Sequence, residues 1–554
     1  MKKLTSVGVL AVAAALLLSG CASAASSSGG ASGAPTKGGT LTILTPATQI
    51  HLDPAKSQNL AITTLGLIVR RLTTWQITPD APAKVVPDLA TNIGTPSDGG
   101  KTWTYTLKDG LKFSDGSPIT STDIKYGVER SFAPELSGGL SYHKSLLVGG
   151  STYTGPYTGG DLASISTPDA KTIVFHLTSA YGDWPWIASM PAFAPVPKAK
   201  DNPRTYDNDP VASGPYMVKS NQQGTALTLV RNPYWSASTD SVRTAGPDRI
   251  VFKMSQDPGT TAQSLIDDIG VAKNSFGSQF LGAAQLAQVN KNPSAKARLA
   301  TSKAGPISYL AMNTQSGALK DLKVRQAIEY AVDKKAFIIA SGGAQAAIAA
   351  TTLITPGIPG RVDYDLYPAG PDGNVAKAKK LLQEAGHASD LKLTLLTQND
   401  SSSLAQAQAL QQGLERAGIT VTLKPEDADS YYADSTADTA NYDLNLASWQ
   451  PDFPSANSNI QPLFASSQIG GGGYNIARYS SPEVDALIAQ ATAEVDQKKA
   501  EALWAQADKR IMQDAPVVPL TYAKQSFLHG SNVKNFFIAS FPAYPNYLTA
   551  SLGK

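Results

Sequence analysis

The stretch NYDLNLASWQPDFPSAN, from Asn441 to Asn457, gathers the most unusual set of side chains in the sequence. Trp449, Asp452 and Phe453 fall within five residues and are punctuated by Pro451 and Pro454. Asp beside Pro commonly caps a turn through its side chain, and residue types alone make that the plain role for Asp452. What a single negative charge framed by aromatic faces would otherwise serve stays open at this point. Other candidates for chemistry are thin. His51, His143, His176, His387 and His529 lie far apart, and none has a second ligand at zinc-type spacing. Ser141-Tyr142-His143-Lys144 matches the S-x-x-K pattern of serine acyl-transfer enzymes but lacks the companion S-D-N and K-T-G elements. There is no G-x-S-x-G elbow, no phosphate-cradling G-x-x-x-x-G-K-[ST] and no G-x-G-x-x-G after a strand. The run Gly470 to Gly473 reads as a flexible loop. Nothing local argues for catalysis, a cofactor or a metal site.

The elements that must position these residues can be read from periodicity. Tyr442, Leu444 and Leu446 alternate with Asp443 and Asn445, a strand that Pro451 must end. Leu41 and Ile43 alternate with threonines in a short strand near the start of the folded region. In KTWTYTLKDGLKFSDGSPIT, Trp103, Tyr105 and Leu107 alternate, Asp109-Gly110 signals a tight turn, and Leu111 and Phe113 return, which predicts a hairpin. Thr120 followed by Asp123 resembles a capping box, with Ile124, Val128 and Phe132 at helical spacing behind it. Beyond Pro306 the texture changes. Val324, Ala327, Ile328, Ala331 and Val332 share one helical face, and AKAKKLLQEAG is a helix ended by Gly386. LKLTLLT, then a helix closed by Gly418, then ITVTLK follow in the order β-α-β, which implies a parallel strand pair in an α/β domain. Ser481-Pro482 opens one later helix and AEALWAQADKRIMQ forms another.

Of the 554 residues, the first twenty form a basic start, Lys2 and Lys3, followed by a short apolar run to about Leu18, as in a secretory signal. Leu18-Ser19-Gly20-Cys21 resembles the lipobox of bacterial lipoproteins, whose cysteine is lipidated and becomes the mature N-terminus. Cys21 is the only cysteine, so lipidation accounts for it and no disulfide is possible. Residues 21–39, nearly all Ser, Gly and Ala, read as a flexible tether. The remaining chain is long enough for three or four domains at roughly 150 residues each. The formal net charge is +3 and falls further without Lys2 and Lys3, so nothing points to nucleic acid or an electrostatic membrane patch.

Several colinear blocks then carry a resemblance. LDPAK (Leu52 to Lys56), WTYTLKDGLKFSDGSPITSTDIKYGVER, SGPYMV, LVRNPYW, VRQAIEYAVDK, SPEVDALIAQA and DAPVVPL resemble the bacterial extracellular solute-binding proteins of family 5, the oligopeptide, dipeptide and nickel-binding class. These are lipid-anchored receptor subunits of ABC importers. Ala212 and Ser213 depart from the family's G-T-G-P-Y element, and the segment after DPGTTAQSLIDDIG is blurred. The resemblance implies an α/β, two-lobed periplasmic-binding-protein-like clamp of type II, with an extra subdomain in lobe I. The expected layout is residues 1–20 signal, 21–39 tether, 40–306 lobe I with a subdomain about 66–184, 307–520 lobe II, and 521–554 returning to lobe I.

The function implied is capture of short peptides and their delivery to the permease, by a non-enzymatic, monomeric protein held at the outer or periplasmic side of the cell membrane by its lipid. Peptide-binding members use a W-x-x-D element to receive the ligand's N-terminal ammonium. Here it reads Trp449-Gln450-Pro451-Asp452, with Phe453 adding apolar wall. A cationic amine in a closed, water-poor cleft needs a charge-assisted partner, which suits Asp452. Counting on from LDPAK, Gln58 and Asn59 fall where the family pairs backbone groups with an extended peptide. Tyr142 falls near a cleft-lining aromatic, with a surface tyrosine as the alternative, and Asn475 is expected to hold its own loop. Within the same fold the ligand can instead be an oligosaccharide or a nickel complex; a secreted hydrolase built on Ser141 is the remote rival.

Overall fold

Leu41 and Ile43 lie at the heart of a five-stranded sheet and are fully buried. Their strand, Thr40–Leu44, has parallel neighbours on both sides, Arg249–Lys253 and Ser275–Gly277. Ala226–Arg231 and Tyr216–Gln222 extend the sheet with antiparallel pairs. The intervening Thr42 is buried as well, because a central strand is covered on both faces. The computed structural model describes residues 37–388 and 390–553. The signal, Cys21 and nearly all of the expected tether lie outside the described residues.

A second, four-stranded antiparallel sheet comprises Thr95–Ser97, Thr102–Thr106, Thr172–His176 and Ile165–Ser166. Here the predicted hairpin fails. Gly110 does turn, at φ 73. However, both edges of Thr102–Thr106 are taken, by Thr95–Ser97 and by the distant Thr172–His176. Leu111 and Phe113 therefore return to a smaller turn of their own, in which Phe113 N–H donates to the Ser117 carbonyl at 2.9 Å and Ile119 N–H to that of Leu111 at 3.1 Å. The helix Ser121–Arg130 follows as predicted, with Asp123 accepting from Thr120 N–H at 2.8 Å.

The third sheet has six strands in the order Ala347–Ala349, Val517–Ala523, Ile307–Met312, Leu444–Trp449, Lys392–Gln398 and Thr420–Glu426. Lys392–Gln398 and Thr420–Glu426 run parallel, joined by the helix Ser401–Arg416, so the β-α-β order of the sequence is realised. Alternation along Ile307–Met312 splits its side chains between two cores. Leu310 and Met312 pack with Val324, Ile328 and Leu414 on the helical side, while Ile307, Tyr309 and Ala311 face the larger core that includes Phe453, Trp504 and Ile511.

Two short connections leave this sheet side by side. Residues 302–306 lead in from Leu299–Thr301, and residues 524 and 525 lead out to Ser526–Leu528, with which Leu299–Thr301 pairs antiparallel. The connections bond to each other: Ser302 N–H to the Gln525 carbonyl at 2.9 Å, Gly305 N–H to Ala523 at 2.9 Å, and Ala523 N–H to Pro306 at 2.7 Å. Val517–Ala523 thus stays in the six-stranded sheet three residues beyond the expected crossing at 520. Trp449, the last residue of its strand, pairs with Ile307, the first residue after the crossing. The W-x-x-D element therefore emerges where the chain passes between sheets. Among the described residues no helix is long and apolar enough to cross a membrane.

Candidate functional site

Beyond Trp449 the chain opens into a cavity of about 720 Å³. One wall is the end of the two central strands of the six-stranded sheet, through Ser308, Tyr309 and residues 446–449. The opposite wall is built from Gln58 and residues 139–142. That wall is anchored by charge. Arg130, closing the helix Ser121–Arg130, places its guanidinium 2.9 and 3.0 Å from the two carboxylate oxygens of Asp53 and 2.7 Å from Asp201 Oδ1. All of these side chains are buried, so removing any one strands its partner in low dielectric. Asp53 also accepts from Ala55 N–H at 2.9 Å, and Gln58 Nε2 donates to the Gly138 carbonyl at 2.9 Å. A Cβ on Gly139 would come within 2.3 Å of the Ala55 carbonyl, so only glycine lets the two segments close.

Tyr142 opens the short helix Tyr142–Leu146 and donates its hydroxyl to Asp452 Oδ2. Its ring meets Phe453 edge-on, with centroids 5.6 Å apart. Asp452 makes no other hydrogen bond or ion pair among the described residues, and no backbone N–H reaches its carboxylate; the turn-cap role is not what the geometry gives. Burial pushes the Asp452 carboxyl up, opposed by the Tyr142 hydrogen bond, and burial and the Asp452 charge together raise the Tyr142 phenol. Trp449 is steered by its indole N–H, which donates to the Ser458 carbonyl at 2.7 Å, and its ring lies 5.3 Å from that of Tyr474.

The candidate residues are brought together unevenly. Gln58, Tyr142, Trp449, Gln450 and Asp452 line the cavity. Phe453 does not; it is buried behind Tyr142 as a packing partner. Asn59 faces a neighbouring cavity instead. Asn475 holds its loop as expected, donating to the carbonyls of Ala465 and Tyr479 at 3.0 and 2.8 Å. Ser213, the departure from the family element, accepts from Arg70 N–H at 2.8 Å and lies away from the cavity. Ser141 lines the cavity, but Lys144 points elsewhere, its ammonium 5.8 Å from the Phe132 ring centroid.

Sequence reasoning missed most of the aromatic wall. Tyr309, Tyr431, Tyr432 and Tyr474 join Tyr142 and Trp449 around the cavity, and Tyr432 and Tyr474 are 53% and 44% exposed. The Tyr431 hydroxyl is fixed between Asn445 Oδ1 at 2.7 Å and the Leu446 carbonyl at 2.9 Å. The only hint was a tyrosine pair inside the polar run DADSYYADS. Among the described residues lining the cavity, Asp452 is the one formally charged side chain; hydroxyls, amides and rings make up the rest of its polar surface. Such a site can receive one cationic group, stack planar or apolar parts of a ligand, and hydrogen-bond an extended backbone.

Comparison with known proteins shows the family of the chain. Residues 84–471 match the family model described as "Bacterial extracellular solute-binding proteins, family 5 Middle". The "Glutathione-binding protein GsiB" of Salmonella paratyphi A is 27% identical over 455 residues, 80% of this chain and 82% of that one. The "Periplasmic murein peptide-binding protein MppA" of Escherichia coli is 27% identical over 495 residues, 85% of each chain. Among solved structures, the "Clavulanic acid biosynthesis oligopeptide binding protein 2" superposes with a TM-score of 0.84 at 32% identity, over 94% of this chain and 96% of that one.

Proposed function

The chain belongs to the bacterial extracellular solute-binding proteins of family 5, and from that premise we propose that it captures short peptides between two lobes and delivers them to the permease of an ABC importer. The family is one of extracytoplasmic binding proteins. In the proposed layout lobe I takes residues 40–306, with a subdomain about 66–184, and the chain after the second crossing; lobe II takes the segment from 307. Cys21 anchors a monomer to the membrane by its lipid.

One observation carries the peptide reading: Asp452 is the single charged group in the cavity, desolvated, with acceptor capacity left beyond the Tyr142 hydrogen bond. An N-terminal ammonium supplies the cation such a carboxylate lacks. Trp449, Gln450 and Gln58 then flank the first residues of an extended peptide, while Phe453 braces Tyr142 and Asn59 contacts the ligand further along. The names of the relatives, which bind glutathione and murein peptides, point the same way.

Calorimetry on native protein and Asp452→Asn, each with a free and an N-acetylated peptide, tests this. Either change alone should cost roughly 2–5 kcal/mol, the range for breaking one partner of a desolvated charge pair. Both together should cost little more than one, because they delete the same interaction. Additive losses would remove Asp452 from the ligand. The exposed rings of Tyr432 and Tyr474 favour a second reading, an oligosaccharide stacked on the aromatic wall, which would appear as sugar binding indifferent to Asp452→Asn.

A further inference from the structure

The cavity at Asp452 contains one anion and no cation, whereas a free peptide carries one charge of each sign. Its carboxylate has no partner there and, left in a water-poor cleft, would be costly to bury. A second cavity, of about 620 Å³, adjoins the first and shares Gln58 as its wall. Lys56 and His51 line it, together with Asn59 and the hydroxyl-bearing Ser57, Thr63 and Tyr544.

The two cations differ. His51 Nδ1 is held by Asp207 at 2.7 Å. Asp207 is in turn occupied by Leu52 N–H at 2.6 Å and Asp53 N–H at 2.8 Å, so that carboxylate is already satisfied. The Lys56 ammonium has no hydrogen-bond or ion-pair partner among the described residues, although the residue is largely covered. Its backbone is fixed, Lys56 N–H donating to the Asp53 carbonyl at 3.0 Å on the segment that Arg130 anchors. An ammonium with no partner among the described residues thus lines the adjoining cavity, on a backbone fixed two residues before Gln58.

We infer that the adjoining cavity is the distal subsite of the same ligand groove, and that Lys56 receives the carboxylate at the far end of a peptide whose ammonium rests on Asp452. This rests on the peptide reading above. The ligand passes Gln58 between the two cavities, which places Asn59 beside its distal half. Only peptides long enough to pass Gln58, each residue adding about 3.3 Å when extended, gain the second charge contact. A dipeptide satisfies the amine alone.

The test is a calorimetric series of peptides of increasing length, each as free acid and as C-terminal amide, against the native protein, Lys56→Met and Lys56→Glu. Beyond a threshold length the native protein should prefer the acid by about tenfold, the size of one added charge-assisted contact. Lys56→Met should abolish that preference and Lys56→Glu should reverse it, while both keep the discrimination against N-acetylated peptide. Lys56 has no internal partner to lose, and an unchanged melting temperature checks that the variants fold. A native protein that rejects acetylated peptide yet treats acid and amide alike at every length overturns this subsite alone. So does an acid preference that survives in Lys56→Met. Failure to bind any peptide overturns both this subsite and the peptide reading.

Discussion

Tyr142 donates its phenolic hydroxyl to the carboxylate of Asp452, a contact between residues 310 positions apart in the chain. It is one of three polar ties between the segment after Trp449 and residues 142–183. Ser455 Oγ donates to Asp183 Oδ2 at 2.9 Å, and Asn457 Nδ2 to the Tyr181 hydroxyl at 3.2 Å. The proposed amine receptor is therefore oriented from across the cavity, by side chains outside its own sheet. A carboxylate held from one side by a neutral donor keeps its charge and its remaining lone pairs for a cation.

That arrangement makes binding pH-dependent in a defined direction. Burial raises the Asp452 carboxyl above the ordinary range, and the Tyr142 hydrogen bond opposes the rise. Peptide affinity should fall as acidification protonates Asp452. Tyr142→Phe keeps the ring against Phe453 but removes the opposing hydrogen bond, so the fall should begin at a higher pH. Affinity measured across roughly pH 4 to 7 checks this against the ordinary carboxylate range. A profile identical in the two proteins would mean that the hydroxyl does not tune the carboxylate.

The wall that carries Gln58 depends on Arg130. Asp53→Ala leaves a buried guanidinium with Asp201 as its one remaining carboxylate. Breaking such a pair typically costs about 3–5 kcal/mol. Denaturant unfolding should register that loss, and peptide affinity should drop because Gln58 and residues 138–142 lose their common anchor. Full stability in Asp53→Ala would show the pair to be dispensable.

A second carboxylate gives a stability signature away from the cavity. Asp508 accepts from Leu353 N–H at 3.1 Å, Ile354 N–H at 3.2 Å and the Tyr364 hydroxyl at 2.6 Å, yet burial pushes it up to about 6 from 3.8. Between those values the fold binds a proton that the unfolded chain has released, so this group's contribution declines as pH rises from about 4 to 6. The loss is on the order of 2–3 kcal/mol. Asp508→Asn should melt lower at neutral pH, because its amide faces two backbone donors, and its melting temperature should vary less over that window. Buried Asp183, also pushed up to about 6, contributes to the slope that remains. An undiminished slope in the variant would assign it elsewhere.

How much of this was legible beforehand follows from where each residue sits in the chain. Trp449, Gln450 and Asp452 were legible because they lie within four residues at the end of a strand with a clear period of two and match the W-x-x-D element that the family resemblance supplies. The β-α-β unit was found because its helix and strands are neighbours in sequence with strong periodicity. The hairpin at Asp109-Gly110 misled because a turn signal reports local backbone preference, whereas the partner of Thr102–Thr106 lies some seventy residues away at Thr172–His176. Tyr309, Tyr431, Tyr432 and Tyr474 carry no mark of a shared cavity; only the packing of a strand, a helix and a loop assembles them. Lys56 falls inside the LDPAK block, but its lack of a partner becomes visible only when every neighbouring carboxylate is placed.

The paired connections at 302–306 and 524–525 would set the mechanics of the proposed closure. A body joined by a single strand can swing about any axis. Joined by two strands bonded to each other through Ser302, Gly305, Ala523 and Gln525, it behaves as a flat strap, compliant in bending and twist but stiff to shear and to in-plane rotation. One rotational freedom, that in the plane of the strap, is thereby restricted. Because Trp449 lies in register with Ile307 at the edge of that strap, Asp452 sits close to the pivot, where displacement per degree of rotation is smallest. In the proposed closure the Asp452 carboxylate would stay nearly stationary while more distant walls sweep inward over a ligand held there by one end.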